Sequence, residues 1–180
     1  MESIGFKEWA LVCEALGRGE QTILLRKGGI AEGRAGFAFR HEEFFLLPTF
    51  FHEQVGKTRS RDSVPERRAG EIEIRFFARV EISTVLTTWE TAVAIESFHI
   101  LQPEVVRERF EYAEPKGVHV AFVRVFRLEP NWILADEPRY GGCRSWVKLP
   151  NNPQATSFRP VISDEEHARR FKNFQNIISP

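Results

Sequence analysis

The segment EIEIRFFARVEI, residues 71–82, decides the fold because its side chains alternate between apolar and charged. Every even-numbered position is apolar, and every odd-numbered position except Phe77 is charged. A period of two is typical of a β-strand with one buried face. The length of the segment predicts a bent strand that crosses a curled sheet or partial barrel from one side to the other.

On both sides of this strand the sequence predicts further strands and helices. Apolar residues spaced three and four apart predict an amphipathic helix over 6–16. Capping boxes of threonine or serine with glutamate predict helices that begin near Thr87 and Ser163. The other predicted elements are strands over 21–26, 44–47, 118–128 and 144–149, a helix over 103–110, and a loop over 151–160.

The order of these elements predicts an α+β fold. The strands do not alternate regularly with long helices, which argues against a doubly wound parallel sheet. We expect a single domain over residues 1–180, with a curled, mostly antiparallel sheet or partial barrel and flanking helices at both termini. Residues 54–70 contain almost no large apolar side chain, and we predict a flexible basic loop there.

The composition is that of an ordinary globular protein. The chain has 180 residues, 42% of them hydrophobic, and its 25 basic residues balance 25 acidic ones. This excludes wholesale disorder, a collagen-like chain and a histone-like basic tail, while a local basic surface stays compatible with nucleic-acid binding. Two cysteines without a CxxC motif, and no apolar stretch of membrane-spanning length, predict a reduced, cytoplasmic protein without a membrane partner.

Four segments together resemble a known family. They are FKEWALVCEALGRG (6–19), ILLRKGGIAEG (23–33), FFLLPTFFHEQ (44–54) and EPRYGGCRSWVKL (137–149). The chain resembles an uncharacterised family of small bacterial and archaeal proteins known as a domain of unknown function. Relatives in that family occur joined to restriction-endonuclease-like domains, so the resemblance implies a role near DNA restriction and modification, with such proteins as partners.

The segment LLRKGG has the composition of a phosphate-binding loop but not its pattern. A Walker A loop places Lys and then Ser or Thr after its last glycine, whereas here Lys27 precedes the glycines. A nucleotide-hydrolysing P-loop is therefore excluded. Two interpretations stay open: a strand-ending turn with a solvated Lys27, or a Gly-Gly turn that lets Lys27 approach an anionic ligand.

Acidic and imidazole side chains flank the apolar segment at 44–51. Glu43, His52 and Glu53 are candidates for acid–base or metal chemistry, and the alternative is solvated surface charge. Their spacing is not HExxH, which excludes a zincin. We expect no bound metal and no cofactor.

Residues 139–147, RYGGCRSWV, concentrate side chains that recognise nucleic acids. Tyr140, Arg144 and Trp146 are of the types that stack on bases or bind phosphate, and Lys148 follows them. We predict a ligand-binding loop here; the alternative is a loop and strand with Trp146 in the core. Cys143 could act as a nucleophile only with a histidine nearby.

The predicted basic loop is the candidate for contacts to a nucleic-acid backbone. Lys57, Arg59, Arg61, Arg67 and Arg68 outnumber its two acidic residues, and the four arginines are predicted to bind phosphates without reading bases.

A restriction-type nuclease site is not recognisable in this sequence. Such a site needs an acidic residue and then an acidic-x-Lys motif on an adjacent strand, and neither residues 73–75 nor 145–148 fit. We therefore predict a protein that binds nucleic acid or another polyanion. The alternatives are an enzyme of DNA metabolism that uses Glu43, His52 and Glu53, and a structural partner subunit of a restriction or defence complex.

Overall fold

The computed structural model of the chain describes residues 3–27, 37–152 and 156–179. The strands are β1 (Ser3–Trp9), β2 (Ile23–Lys27), β3 (Glu43–Thr49), β4 (Glu71–Leu86), β5 (Val118–Ala135), β6 (Trp146–Leu149) and β7 (Ser157–Pro160). The helices are α1 (Ala10–Gly17), α2 (Trp89–Ala94), α3 (Pro103–Glu111) and α4 (Asp164–Ile178). Short 3₁₀ turns lie at His52–Lys57, Glu96–Phe98 and Pro138–Tyr140.

The described strands form one sheet in the order β2-β5-β4-β3-β1-β6, and β7 pairs with β5. Neighbouring strands are antiparallel except β1 and β3, which are parallel. The sheet is curled: the Arg26 side chain of edge strand β2 reaches the Lys7 carbonyl and the Glu8 carboxylate of β1. Among the described residues no strand pairing joins β2 to β1 or to the other edge strand, β6. The predicted α+β fold with a curled, mostly antiparallel and unclosed sheet is confirmed.

The long strand β4 explains both the alternation and its one exception. The pairing of β4 with β5 shifts register between Ile74 and Phe76 and again between Val80 and Ile82, and such β-bulges bend a strand. At the first shift the apolar residues change face. Ile74 and Phe77 therefore join one apolar cluster while Phe76 joins the other. These two register shifts agree with the prediction of a bent strand.

The two apolar clusters lie on opposite faces of β3, whereas at β5 the larger cluster includes the consecutive residues Ala121, Phe122 and Val123 and therefore both faces. The larger cluster packs against α1, α2, α3 and α4, with Phe6, Phe122 and Phe174 fully buried. We call the side of the sheet that carries Phe45 and Leu47 of β3 the outer face. It carries the smaller cluster, which includes Phe45, Leu47, Trp132 and Tyr140.

The N-terminal segment differs from its prediction. Residues 6–9 belong to strand β1, and the helix begins only at Ala10. The helical spacing of Phe6 and Trp9 is misleading because tertiary contacts determine the secondary structure of this segment. Strand β1 lies between β3 and β6, and the centroid of the Phe6 ring lies 4.7 Å from that of Trp146. A strand, not a helix, therefore precedes α1.

Four other predictions have different outcomes. The helix at Ser163 is confirmed, since the Ser163 hydroxyl accepts a hydrogen bond from the Glu166 backbone N–H. The helix near Thr87 is capped by Thr88 instead. The predicted loop over 151–160 was wrong in part, because Ser157–Pro160 pair with β5. In the predicted basic loop, the first residues form the 3₁₀ turn at His52–Lys57; its flexibility stays a prediction.

Candidate functional site

A cleft opens on the outer face where β1 and β3 meet the segment that follows β5. Its volume is about 470 Å³. It is lined by Lys7, Leu47, Pro48, Thr49, Phe50, Arg67, Ile72, Asp136, Glu137, Pro138, Tyr140 and Gly141. Three of the candidate segments identified from sequence therefore reach one cavity: FKEW, the LLPTF run, and RYGG.

Lys7 is held in this cleft by the loop before β6. Lys7 pairs with Leu47 of β3, and this register places the Lys7 side chain on the outer face. The amino group donates a 2.5 Å hydrogen bond to the Gly142 carbonyl, and the Lys7 backbone N–H donates to the Ser145 carbonyl at 2.8 Å. Partial burial lowers the pKa of Lys7, and the neighbouring Cys143 partly offsets this effect. Among the described residues Lys7 has no carboxylate partner.

Two arginines of the cleft region are each neutralised by an acid. Arg67 forms an ion pair with Asp136. Arg139 pairs with Glu137 at 2.6 Å, and its guanidinium carbon lies 5.1 Å from the centroid of the Tyr140 ring. These pairs fix the rim of the cleft while contributing little net charge.

Arg144 and Tyr140 differ in their exposure. The Arg144 side chain is exposed in the loop that holds Lys7, and no carboxylate of the described residues pairs with it. Tyr140 is only 4% exposed and borders the cleft from within the outer-face cluster. Gly142 has a φ of +73°, a left-handed conformation that favours glycine, and this turn presents its carbonyl to Lys7.

A smaller cavity of about 70 Å³ adjoins the cleft. The two share Pro48, Phe50 and Arg67. The smaller one also contains Arg68 and an ion pair between Arg75 and Glu14. Burial lowers the pKa of Arg75 below its ordinary value.

The four arginines predicted to contact a nucleic-acid backbone lie in two places. Arg67 and Arg68 line the paired cavities. Arg59 lies at the 3₁₀ turn 96–98, where it donates to the Glu96 carbonyl at 2.8 Å and pairs with the Glu96 carboxylate. Arg61 is exposed and lies between Arg59 and Arg67 in the sequence.

Lys27, Trp146 and Lys148 lie outside the cleft lining, as Arg144 does. Lys27 lies at the end of β2 with its amino group 3.8 Å from the centroid of the Tyr112 ring. Trp146 is half-buried and packs against Phe6, with its indole N–H donating to the Ala38 carbonyl at 3.2 Å. Lys148 is exposed on β6 and, by strand alternation, shares the face of Trp146. The glycines after Lys27 lie outside the described residues.

The predicted acid–base group is not brought together. Glu43 begins β3, where it pairs with Arg79 at 2.8 Å. His52 and Glu53 are exposed in the turn beyond the other end of that strand, so about 20 Å of strand separates them from Glu43. Within 3–27, 37–152 and 156–179, no three His, Cys, Asp or Glu side chains are placed to hold a metal ion. In the same ranges no helix is long and apolar enough to cross a membrane.

The sequence reasoning missed Lys7 and Phe50 as cleft residues. The Gly142 carbonyl that fixes Lys7 is 135 residues away in the chain, a contact that no local pattern encodes. The strand period of β1 could have suggested Lys7 if residues 6–9 had been interpreted as a strand.

Comparison with known proteins identifies the family. The family described as "Domain of unknown function (DUF1802)" matches residues 5–173, and the chain belongs to it. Comparison with curated proteins finds no match. The link to restriction-endonuclease-like domains is not among these findings.

Solved structures of the ZmASCH protein from Zymomonas mobilis are similar in fold. One mutant form superposes with a TM-score of 0.50 at 10% identity, covering 96% of this chain and 98% of that one. A second mutant form has a TM-score of 0.48 at 13% identity, covering 95% of each chain. The first likeness shows a shared fold.

Proposed function

We propose that this protein binds nucleic acid through the cleft on its outer face. The observation that carries the proposal is the charge balance of the cleft region. Arg67 and Arg139 are neutralised by neighbouring carboxylates, whereas Lys7 and Arg144 have no carboxylate partner among the described residues. A cleft that contains the uncompensated Lys7, next to a loop that carries the exposed Arg144, attracts a polyanion such as a phosphate backbone.

The chemistry of the two cations suits phosphate rather than a small neutral ligand. Lys7 is a fixed point charge, because its amino group is already oriented by the Gly142 carbonyl and keeps further N–H donors. Arg144 is exposed and presents a planar guanidinium that binds phosphate oxygens in a bidentate manner. Arg61 and Arg68, which belong to the same segment as Arg67, extend the proposed contact beyond the cleft.

The experiment measures binding of labelled duplex and single-stranded oligonucleotides as a function of salt. We expect Lys7→Gln and Arg144→Gln each to weaken binding of all sequences similarly. Each change should also flatten the slope of log K against log salt by about 0.9 on duplex DNA, or about 0.7 on a single strand. Lys172→Gln, which removes the same charge from the exposed side of α4, is the matched control and should bind as the unmodified protein does.

Absence of binding by the unmodified protein at low salt would refute the proposal. Equal losses in the Lys172 control would show a nonspecific charge effect and would also refute the cleft as the site. A role beside restriction–modification proteins, implied by the family resemblance, belongs to the same proposal and is tested by co-purification with such partners.

A further inference from the structure

A row of aromatic side chains crosses the outer face next to the cleft. Strand register places Phe45 of β3 opposite Phe77 of β4, and Phe77 opposite Phe126 of β5. Phe158 of β7 completes the group, with its ring centroid 4.9 Å from that of Phe77. We call these four residues the phenylalanine row. They line a groove of about 350 Å³.

The rings are accessible from solvent to different degrees. Phe158 is 44% exposed, Phe77 and Phe126 are half-buried, and Phe45 forms the floor of the groove against Trp132. Adjacent strands of a sheet are about 5 Å apart, so the row offers successive rings at a spacing that unpaired bases can match by stacking. Most apolar side chains of a small protein are buried more completely than Phe158.

A second row, of charged side chains, runs parallel to the phenylalanine row. Register places Glu43 opposite Arg79 and Arg79 opposite Arg124, each two residues from the corresponding phenylalanine. The guanidinium carbon of Arg79 lies 5.6 Å from the centroid of the Phe126 ring. Glu43 pairs with Arg79, and Asp164 with Arg124, so this row carries little net charge.

The groove and the cleft lie next to each other along β3. Phe45 lines the groove and Leu47 lines the cleft, and these residues lie about 7 Å apart on the same face of one strand. The uncompensated charge of Lys7, opposite Leu47, is therefore next to the aromatic row. A partner that carries both planar rings and negative charge fits the combined surface.

We infer that the phenylalanine row stacks unpaired bases of a single-stranded nucleic acid whose phosphates lie in the cleft. The inference rests on the proposed function and adds a preference for single strands over duplexes. Base faces are covered by their neighbours in a duplex and are free in a single strand, so the aromatic row favours single strands. Because stacking needs only a π-face, little base preference is expected.

The test compares ring-removing with ring-keeping substitutions, using oligouridine and a matched oligoadenine–oligouridine duplex as probes. Phe158→Leu and Phe77→Leu keep apolar volume but remove the ring, and each should weaken oligouridine binding about fivefold or more. The salt slope should not change, because no phosphate contact is lost. Phe158→Tyr keeps the ring and should bind as the unmodified protein does. Val93→Ala, an exposed apolar truncation on α2, is the control and should also leave binding unchanged.

Each result has a distinct consequence. If Phe158→Leu and Phe77→Leu bind normally while Lys7→Gln weakens binding, the base-stacking inference is wrong and the proposed function stands. If the unmodified protein binds neither probe, both fail. Preference for the duplex would overturn the inference, as would a dimer that Phe158→Leu dissociates in sedimentation, because a second copy would then cover the groove. If circular dichroism shows that Phe77→Leu does not fold, oligouridine binding by Phe158→Leu alone tests the inference, because Phe158 is exposed.

Discussion

The contact of Gly17 with Phe76 gives a sharp test of how α1 packs on β4. A Cβ atom added at Gly17 would lie 2.0 Å from Cζ and 2.3 Å from Cε1 of the Phe76 ring, well inside contact distance. Phe76 is buried, and the guanidinium of Arg127 lies against its ring while donating to the Gly17 carbonyl. The ring therefore has little room to retreat.

We predict that Gly17→Ala destabilises the protein by about 2 kcal/mol. Overpacking a filled core costs about 1–3 kcal/mol, and the gain from placing alanine in a helix, at most about 1 kcal/mol, offsets part of it. The assay is urea unfolding followed by circular dichroism, with stability taken from the midpoint and slope. Gly56→Ala is the matched control: its Cβ would meet no atom within 4 Å, and we expect a change within about 0.5 kcal/mol.

A double-mutant cycle separates the clash from a general helix effect. Phe76→Leu shortens the side chain at the point of contact, so Gly17→Ala should cost at least about 1 kcal/mol less in that background. Additive effects of the two substitutions, or a Gly17→Ala variant as stable as the Gly56→Ala control, would show that this packing is wrong.

Two further predictions concern buried and exposed titratable groups. Burial, with smaller effects of Arg59 and Arg109, lowers the pKa of His99 to about 3, so between about pH 6.5 and pH 3 the unfolded chain binds a proton that the folded chain does not. The contribution of His99 to stability should therefore be fully present above pH 6.5 and should be lost as the pH is lowered. The urea midpoint of His99→Gln should fall less steeply with decreasing pH than that of the unmodified protein. Equal pH dependence of the two midpoints would contradict this. Cys143 is exposed, whereas Cys13 is buried with a raised pKa, so a thiol reagent should modify Cys143 in the native protein and Cys13 only after urea is added; rapid modification of both would contradict the burial of α1.

The candidate site was only partly predictable because its members are held by distant contacts. The RYGG segment and Arg67 were recognised from their residue types, and both line the cleft. Lys7 was not, since its place depends on a carbonyl from the other end of the chain. Conversely, His52 and Glu43 are close in sequence, but Glu43 is the first residue of the extended strand β3 and His52 lies beyond its other end.

The phenylalanine row was likewise only partly predictable from the sequence. Phe77 was visible only as an exception to the alternation of residues 71–82. Its meaning required the register shift near Arg75, after which odd rather than even positions face the outer side. The position of a bulge depends on how a strand pairs with its neighbour. The sequence of one strand does not specify that neighbour.

The sequence by itself determined the elements whose signals are local. The period of two over residues 71–82 specifies a half-buried strand, and the hydroxyl of Ser163 specifies the start of α4, because both act within a few residues of chain. Only the tertiary structure decided that residues 6–9 form a strand between β3 and β6, and that Lys7, Arg67 and Tyr140 share one cleft. Those outcomes depend on packing and hydrogen bonding between segments far apart in the chain, where burial of Phe6 against Trp146 outweighs local helical spacing.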